Sequence, residues 1–269
     1  MYQSHWGLQA QPFGDARRGG AFYQSPTHEE ALARLYFLVE QRRRLGLLLG
    51  APGSGKSLLL SVFAHELRQA GGHVAATQLQ GLEPVELLWE LAVQLGLNPP
   101  APTSVPELWR MLNDRLAEHR FQQWSTVILL DDADQAAPRV LDQVLRLDRQ
   151  ASATGSELTL VLTARPDRVM HLGVAFTELT DLRIDLTPWD LDETEGYLRS
   201  ALEQAGCRRA VFDPEAVARL HELTGGIPRR VSRLADLALL AGAGQGLEHI
   251  DAEVVQSVYR ELEVAPCSR

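Results

Sequence analysis

Cysteine and long apolar runs are scarce in this sequence of 269 residues. The two cysteines, Cys207 and Cys267, lie far apart and form no metal-binding pair, so we expect a reducing compartment. The longest apolar run, 237–247, is rich in glycine and alanine and falls short of the roughly 18–20 residues that cross a bilayer. Residues 1–11 also lack the basic start and apolar core of a signal peptide. The sequence therefore predicts a cytoplasmic protein without a transmembrane segment.

Basic residues are also in the minority, because 35 aspartates and glutamates face 26 lysines and arginines and give a net charge of −9. This balance argues against a general nucleic-acid coat, although a local basic patch is compatible with it. The composition, 45% hydrophobic and 23% charged, is typical of a globular protein. The length suits one large domain, or a medium domain followed by a small one.

Lysine is almost absent, since 25 of the 26 basic residues are arginine and only Lys56 is lysine. Lys56 stands in a glycine-rich stretch that fits the phosphate-loop pattern of Gly, four residues, Gly-Lys-Ser/Thr. An apolar run, 45–49, precedes the stretch and an apolar helical pattern, 58–67, follows it, as a strand–loop–helix unit requires. A chain that uses arginine elsewhere keeps lysine where a compact, flexible charge is needed.

The phosphate loop predicts a site for ATP and Mg²⁺. Glycines let the backbone turn sharply and direct N–H groups at phosphate oxygens, and the following helix adds its positive end. Lys56 would reach the β- and γ-phosphates, and the Ser57 hydroxyl would complete the Mg²⁺ shell. The predicted nucleotide-binding residues are Gly50, Ala51, Pro52, Gly53, Ser54, Gly55, Lys56, Ser57 and Leu58. The alternative interpretation is a glycine-rich turn before a helix.

Polar residues end two further apolar strands. The strand at 126–130 delivers Asp131 and Asp132, a pattern in which Asp131 would bind Mg²⁺ and Asp132 would orient or deprotonate the attacking water. The strand at 158–162 ends at Thr163, which would hold the γ-phosphate or the water. The alternatives are a capping acidic pair and a strand end before a Pro turn.

Short apolar strands alternate with helical patterns up to residue 186, and only helical patterns follow. This alternation predicts an α/β fold with a parallel sheet and right-handed crossovers. We expect an N-terminal arm at 1–26, a phosphate-loop ATPase core at 27–188 and an all-helical lid domain at 189–269. Thr27 with Glu30 predicts a capping box that starts the first helix.

Several blocks of the sequence resemble the AAA+ ATPases, and more narrowly the ExeA-like ATPases, the component-A proteins of the general secretion pathway. Besides the phosphate loop, they are Tyr2, Trp6, Gly7, Leu8, Pro12 and Phe13, the run 25–32, Asp131 and Asp132, the run 191–194 and the run 224–229. The resemblance implies ATP bound between core and lid, and assembly into a dimer or ring. It also implies that Arg229 reaches from the lid to the γ-phosphate.

The sequence departs from this family in three respects. Asp132 stands where the family has glutamate, and its carboxylate is one methylene shorter. If the attacking water is misplaced as a result, a displacement near 1 Å can cost about 100-fold in rate. The family's candidate arginine finger is missing, with Arg183, Arg165 and Arg168 the nearest substitutes and Arg183 the candidate chosen. Many secretion members continue into a membrane span and a wall-binding domain, so we expect no direct role in wall or secretin assembly here.

Four functions remain open at this point. The first is an ATPase that drives conformational switching or assembly of an unidentified protein partner. The second is a nucleotide-gated scaffold with little hydrolysis, suggested by Asp132 and the missing finger. The third is a DNA-associated regulator of transposition or replication, which the acidic balance disfavours. The fourth, a small-molecule kinase, is disfavoured by the Gly-Gly-Ile-Pro-Arg turn at 225–229.

Overall fold

The computed structural model describes residues 2–14 and 22–264, and Cys267 of the cysteine pair lies outside them. The chain forms two compact units. The described parts of Met1–Glu29, Gly53–Gly55 and Thr187–Arg269 make up one, which we call the helical unit. Glu30–Pro52 and Lys56–Leu186 make up the other, the sheet unit.

The sheet unit is built on five parallel strands in the spatial order β2-β3-β4-β1-β5. The strands are β1 (Leu45–Gly50), β2 (His73–Gln78), β3 (Thr126–Asp131), β4 (Leu158–Ala164) and β5 (Leu182–Leu186). Strands β1 and β4 are buried along their whole length, as expected of inner parallel strands covered on both faces. The predicted α/β fold, with a phosphate-loop strand inside a parallel sheet, is confirmed.

Eleven α-helices accompany the sheet in the described part of the chain. They are α1 (Tyr2–Trp6), α2 (Pro26–Glu40), α3 (Lys56–Gln69), α4 (Pro84–Gln94), α5 (Val105–Phe121), α6 (Pro138–Thr154), α7 (Val174–Leu179), α8 (Leu191–Gln204), α9 (Pro214–Thr224), α10 (Pro228–Gln245) and α11 (Ala252–Val264). Helices α8 to α11 confirm the change to helices alone after the last strand. None of the helices in residues 2–14 and 22–264 is long and apolar enough to cross a membrane.

Both edges of the sheet are occupied by side chains. At the outer edge of β2, the Gln94 amide donates to the Ala76 carbonyl and accepts from the Ala76 N–H, each at 2.8 Å. Arg68 donates to the neighbouring Val74 carbonyl at 3.1 Å. At the opposite edge, on β5, Arg183 forms an ion pair with Asp185 at 2.8 Å. These contacts cover or charge the backbone edges that a parallel sheet otherwise exposes.

The helical unit has an apolar core of its own. Trp6 and Phe13 are 1% and 6% exposed and pack in the same cluster as the inner faces of α8 to α11. The Trp6 indole donates to the Leu239 carbonyl at 2.8 Å, which satisfies its polar atom. The N-terminal segment, predicted as an arm, thus packs its aromatic side chains with the C-terminal helices. The predicted domain boundaries stay a prediction.

Helix α2 begins differently from the sequence prediction. Thr27 forms no capping box with Glu30, because its N–H and hydroxyl donate to the Glu193 carboxylate at 2.8 and 3.0 Å. The Ser25 hydroxyl instead accepts the N–H of His28 at 3.3 Å, so Ser25 caps the helix that starts at Pro26. A partner distant in sequence, Glu193, has overridden the local signal.

Candidate active site

The loop between β1 and α3 carries the predicted phosphate-binding residues. Gly53 and Gly55 have φ values of +88° and +100°, a region that side-chain-bearing residues rarely adopt. Lys56 begins α3 and is 7% exposed. Ser57 and Leu58 follow in the first turn and are half-buried. The backbone thus forms the tight turn into a helix N-terminus that an anion site requires.

The Lys56 ammonium is held by the loop itself. It donates to the carbonyls of Gly50 and Ala51 at 2.7 and 3.2 Å, which leaves one of its three protons for a ligand. Burial lowers the pKa of Lys56, while Asp131 and Asp132 oppose that shift by favouring the charged form. The nearby carboxylates therefore favour the charged ammonium, and its remaining proton can bind an anion.

The carboxylates come from the end of one central strand. Asp131 ends β3, with Gln78 at the end of β2 on one side and Thr163, the last residue but one of β4, on the other. The Thr163 hydroxyl is fully buried, donates to Asp131 Oδ1 at 2.5 Å and accepts the N–H of Asp132 at 2.9 Å. A hydroxyl has one proton to donate, and Thr163 gives it to Asp131. Because its oxygen also accepts from Asp132, Thr163 in this structure positions both aspartates.

Asp132 has an unusual backbone conformation. Its φ and ψ of 54° and 43° lie in the left-handed region, which aspartate tolerates better than most residues because its short side chain can hydrogen-bond locally. Its carboxylate accepts from the Gln78 amide at 2.9 Å. Burial and then the neighbouring Asp131 charge raise the pKa of Asp132 above its usual value, and Gln78 counteracts them. A raised pKa suits a group that takes up a proton.

Asp134 is a third carboxylate in this cluster. It is 5% exposed, and its Oδ1 accepts the N–H of Arg165 at 3.3 Å. Its Oδ2 has no hydrogen-bond partner among the described residues. Asp134 favours the charged form of Lys56, as its neighbours do. It also ties the segment after β4 to the segment after β3.

In the helical unit, Arg229 lies directly against the loop. Its backbone N–H donates to the Gly53 carbonyl at 3.2 Å, and a Cβ atom on Gly53 would come within 2.9 Å of the Arg229 Cβ. Its exposed guanidinium forms no ion pair within the described parts of the chain. The Arg229 side chain, which the sequence predicted to reach the γ-phosphate, thus starts beside the loop and forms no ion pair with another described residue.

Two further residues of the helical unit have buried side chains here, one within the loop and one in contact with it. Ser54, in the loop, is 1% exposed, and its hydroxyl has no hydrogen-bond partner within residues 2–14 and 22–264. A buried hydroxyl without a partner fits a loop that receives a polar ligand. The His28 ring contacts the loop, with Nε2 3.1 Å from the Ser54 carbonyl.

Two of the three arginines considered as fingers, Arg183 and Arg165, have local partners. Arg183 points from the edge strand to Asp185, and the carboxylate raises its pKa. Arg165 pairs with Asp167 at 2.7 Å. The structure does not bring Arg183 to the group formed by Lys56 and the aspartates, and its role as a finger stays a prediction.

Sequence reasoning missed Gln78, Asp134 and His28. Gln78 ends a strand, and its neighbourhood with Asp131 follows once β2 is known to pair with β3. Asp134 lies three residues after Asp131 and was hidden by the acidic pair. His28 falls within the block 25–32 that carries the family resemblance, which was the available signal.

Comparisons with known proteins agree with this geometry. Residues 39–170 match a family model described as an AAA domain. General secretion pathway protein A of Aeromonas hydrophila is 28% identical over 254 residues, which cover 93% of this chain and 46% of that protein. This chain therefore spans about half the length of the relative it matches.

Similar folds occur among solved structures. Cdc6p of Pyrobaculum aerophilum superposes with a TM-score of 0.71 at 21% identity, covering 93% of this chain and 70% of that one. The Orc1 protein of Aeropyrum pernix, solved in complex with DNA, gives 0.68 at 21% identity, with coverages of 96% and 69%. The RuvB branch migration motor of Thermotoga maritima gives 0.58 at 14% identity, with coverages of 90% and 70%. At these identities the similarity establishes the fold.

The strand order, the loop and the strand-end carboxylates define a phosphate-loop fold like that of the AAA+ ATPases. Over residues 39–170 the chain is similar to the AAA domain family. Within that class, the chain resembles general secretion pathway protein A, as its N-terminal block and its Gly-Gly-Ile-Pro-Arg turn predicted.

Proposed function

We propose that this protein binds Mg-ATP and hydrolyses it to drive conformational switching or assembly of a partner complex. The observation that carries the proposal is the convergence of Lys56, Asp131, Asp132 and Thr163 within the sheet unit. Carboxylate and hydroxyl oxygens are the hard ligands that Mg²⁺ takes, usually together with substrate phosphates. The donor set therefore fits the ion that the fold implies.

Each residue has a separate task in the proposed reaction. The N–H groups of Gly50 to Leu58 and the Lys56 ammonium bind the phosphates, and Arg229 adds its charge from α10. Ser57 and Asp131 would hold the Mg²⁺, which supplies charge neutralisation when bound. Asp132 orients the attacking water and accepts its proton.

Turnover of Mg-ATP by the purified protein tests the proposal. Lys56→Ala removes the phosphate-binding charge and should abolish both turnover and nucleotide affinity. Arg139→Ala is a control, because it removes a cation of the same unit that pairs with Glu83 and has no predicted role in the site. A wild-type rate no higher than that of Lys56→Ala would refute hydrolysis.

The second candidate is a nucleotide-gated scaffold with little hydrolysis. Asp132 favours it, because its carboxylate is one methylene shorter than the family glutamate and is already engaged by Gln78. The scaffold predicts that Asp132→Glu raises turnover. The left-handed backbone offers a different reason for aspartate at this position, since glutamate fits it less well. The scaffold hypothesis would be ruled out if the wild-type protein turned over ATP at an ordinary rate and Asp132→Glu lowered that rate.

Partners belong to this proposal as well. The resemblance to a secretion pathway protein and to AAA+ structures supports self-association into a dimer or ring and an unidentified protein partner. Light scattering with and without a slowly hydrolysed ATP analogue tests assembly. DNA is the disfavoured partner, and salt-dependent retention on DNA only in the presence of ATP would revive it. The cytoplasmic location stays a prediction.

A further inference from the structure

A buried chain of hydrogen bonds in the helical unit ends on the phosphate loop. The Trp189 indole donates to the Ser25 hydroxyl at 2.9 Å, Ser25 contacts His28 Nδ1 at 2.8 Å, and His28 Nε2 contacts the Ser54 carbonyl at 3.1 Å. None of these four residues is more than 5% exposed. Buried polar groups that are fully connected fix one geometry.

The direction of every bond in this chain is determined. A carbonyl can only accept, so His28 Nε2 carries a proton and donates it to Ser54. The Trp189 indole N–H, which can only donate, lies 3.3 Å from His28 Nδ1, so Nδ1 is an acceptor and takes the Ser25 proton. Burial lowers the pKa of His28, which favours this neutral form of the ring. The Ser25 oxygen in turn accepts from Trp189 and from the His28 N–H. Ser25 thus uses its one donor and both acceptor sites.

The bond from His28 sets the orientation of a loop peptide. In a planar trans peptide the carbonyl oxygen and the next N–H point in opposite directions. Turning the Ser54 carbonyl toward His28 therefore turns the Gly55 N–H the other way. The Arg229 N–H does the same to the preceding peptide, because it holds the Gly53 carbonyl and so directs the Ser54 N–H.

We propose that His28 is a positioning residue that holds the Ser54–Gly55 peptide with its N–H turned toward the bound phosphates. Together with the Arg229 backbone it presents two consecutive N–H donors before nucleotide arrives. The inference rests on the proposed function, since it assigns to the same loop the group that orients it. Fixed donors bind an anion without first reorganising, which increases affinity.

The closeness of His28 to the loop supports this role. A Cβ atom on Gly55 would lie 2.5 Å from His28 Nε2, so the ring occupies the space that any side chain would need. At its opposite end the chain of bonds reaches the turn before α10, because the backbone N–H of Trp189 donates to the Gly226 carbonyl at 2.9 Å. The loop peptide is thereby connected to the turn that also places Arg229.

A matched pair of variants tests the role of His28. Glutamine places its amide nitrogen near the position of Nε2 and keeps the donor, whereas asparagine reaches only the position of Nδ1 and loses it. We expect His28→Gln to bind ADP within about threefold of wild type and His28→Asn to bind about tenfold more weakly or worse. Thermal unfolding of both variants without nucleotide separates folding from binding. Equal ADP affinities for the two variants would overturn the proposal.

A second measurement needs no variant. Histidine-selective ¹⁵N NMR of the wild-type protein should show His28 as the neutral tautomer protonated at Nε2, and the Nδ1 tautomer would overturn the proposal. Failure of the proposed function is recognised separately. If wild type and Lys56→Ala bind ADP equally weakly, nucleotide binding itself is refuted and the role of His28 falls with it. If wild type alone binds ADP, the variant pair decides on His28.

Discussion

The strand-end aspartates and the loop segment Gly53–Gly55 are positioned in different ways. Asp131 and Asp132 are held by Thr163 and Gln78, side chains at the ends of the strands on either side of β3. The loop segment is held by groups distant in sequence, the His28 ring and the Arg229 backbone, which bind carbonyls. One arrangement fixes side chains and the other fixes peptide groups.

The two parts of the site should therefore respond differently to substitutions. Strand-end side chains depend on sheet register, which the buried strands specify strongly. The loop peptides depend on a few hydrogen bonds from the helical unit. We therefore expect substitutions around the loop to change nucleotide affinity, and substitutions around the aspartates to change turnover while affinity is kept.

The largest expected effect is that of Gly55→Ala. The new Cβ meets His28 Nε2 at 2.5 Å on a backbone with φ of +100°, so the loop must move. We expect ADP affinity to fall by about 100-fold, as strain of this kind costs about 1–3 kcal/mol and the clash adds to it. Isothermal calorimetry measures the change.

Gly155→Ala is the control for the loop variant. Gly155 has a φ of +69° with nothing within 4 Å of an added Cβ, and it ends α6 away from the loop sequence. We expect a modest loss of stability and unchanged ADP affinity. A Gly55→Ala protein that binds ADP as Gly155→Ala does would show that the loop is not constrained by its surroundings.

The next effect is that of Thr163→Val, which keeps the shape of the side chain and removes its hydroxyl. Asp131 loses a donor and the Asp132 N–H loses its acceptor, so both aspartates shift. We expect kcat to fall by about 10- to 100-fold with little change in KM, because small displacements of reacting groups are costly. Thr163→Ser should restore most of the rate. A Val variant as active as wild type would contradict the positioning role.

The smallest effect is that of Gln78→Ala on the pH profile. The Gln78 amide lowers the pKa of Asp132, so its removal lets burial and Asp131 raise that pKa further. A base works only when ionised, so the loss of turnover on acidification should begin at a higher pH. We expect the acid limb of the turnover profile to move to higher pH, and turnover on the alkaline side to stay unchanged.

Gln80→Ala is the control for this profile. Gln80 accepts a hydrogen bond from Gln78 at 3.4 Å and forms no hydrogen bond with Asp132 within the described residues. Its removal should leave the acid limb where it is. Identical profiles for Gln78→Ala and wild type would show that Asp132 is not the group that titrates.

The strand-end half of the site could be predicted from sequence because it is local. Each acid or hydroxyl follows an apolar strand directly, and parallel strands bring such ends together. The same reasoning predicted Lys56 and the loop. It did not predict the exact role of Thr163, because the direction of a hydroxyl proton depends on which acceptor lies nearest in three dimensions.

The loop's supports could not be predicted from local patterns. His28 belongs to no chemical motif. Its proposed role depends on contacts with Ser54 and Trp189, which lie far from it in the chain. Helix α1 was likewise not predicted within the N-terminal arm, since five residues carry no periodic signal. The capping prediction at Thr27 failed for the same reason, because Glu193 takes its donors.

The side chains along the borders of the sheet limit how the molecule can associate. An incoming extended peptide would find the Ala76 backbone groups already bonded to Gln94 at one border and a charged pair of side chains on β5 at the other. Growth by adding strands, the route to fibrils, is thereby discouraged at both borders. Any partner would therefore have to recognise shape and side-chain chemistry instead of adding a strand.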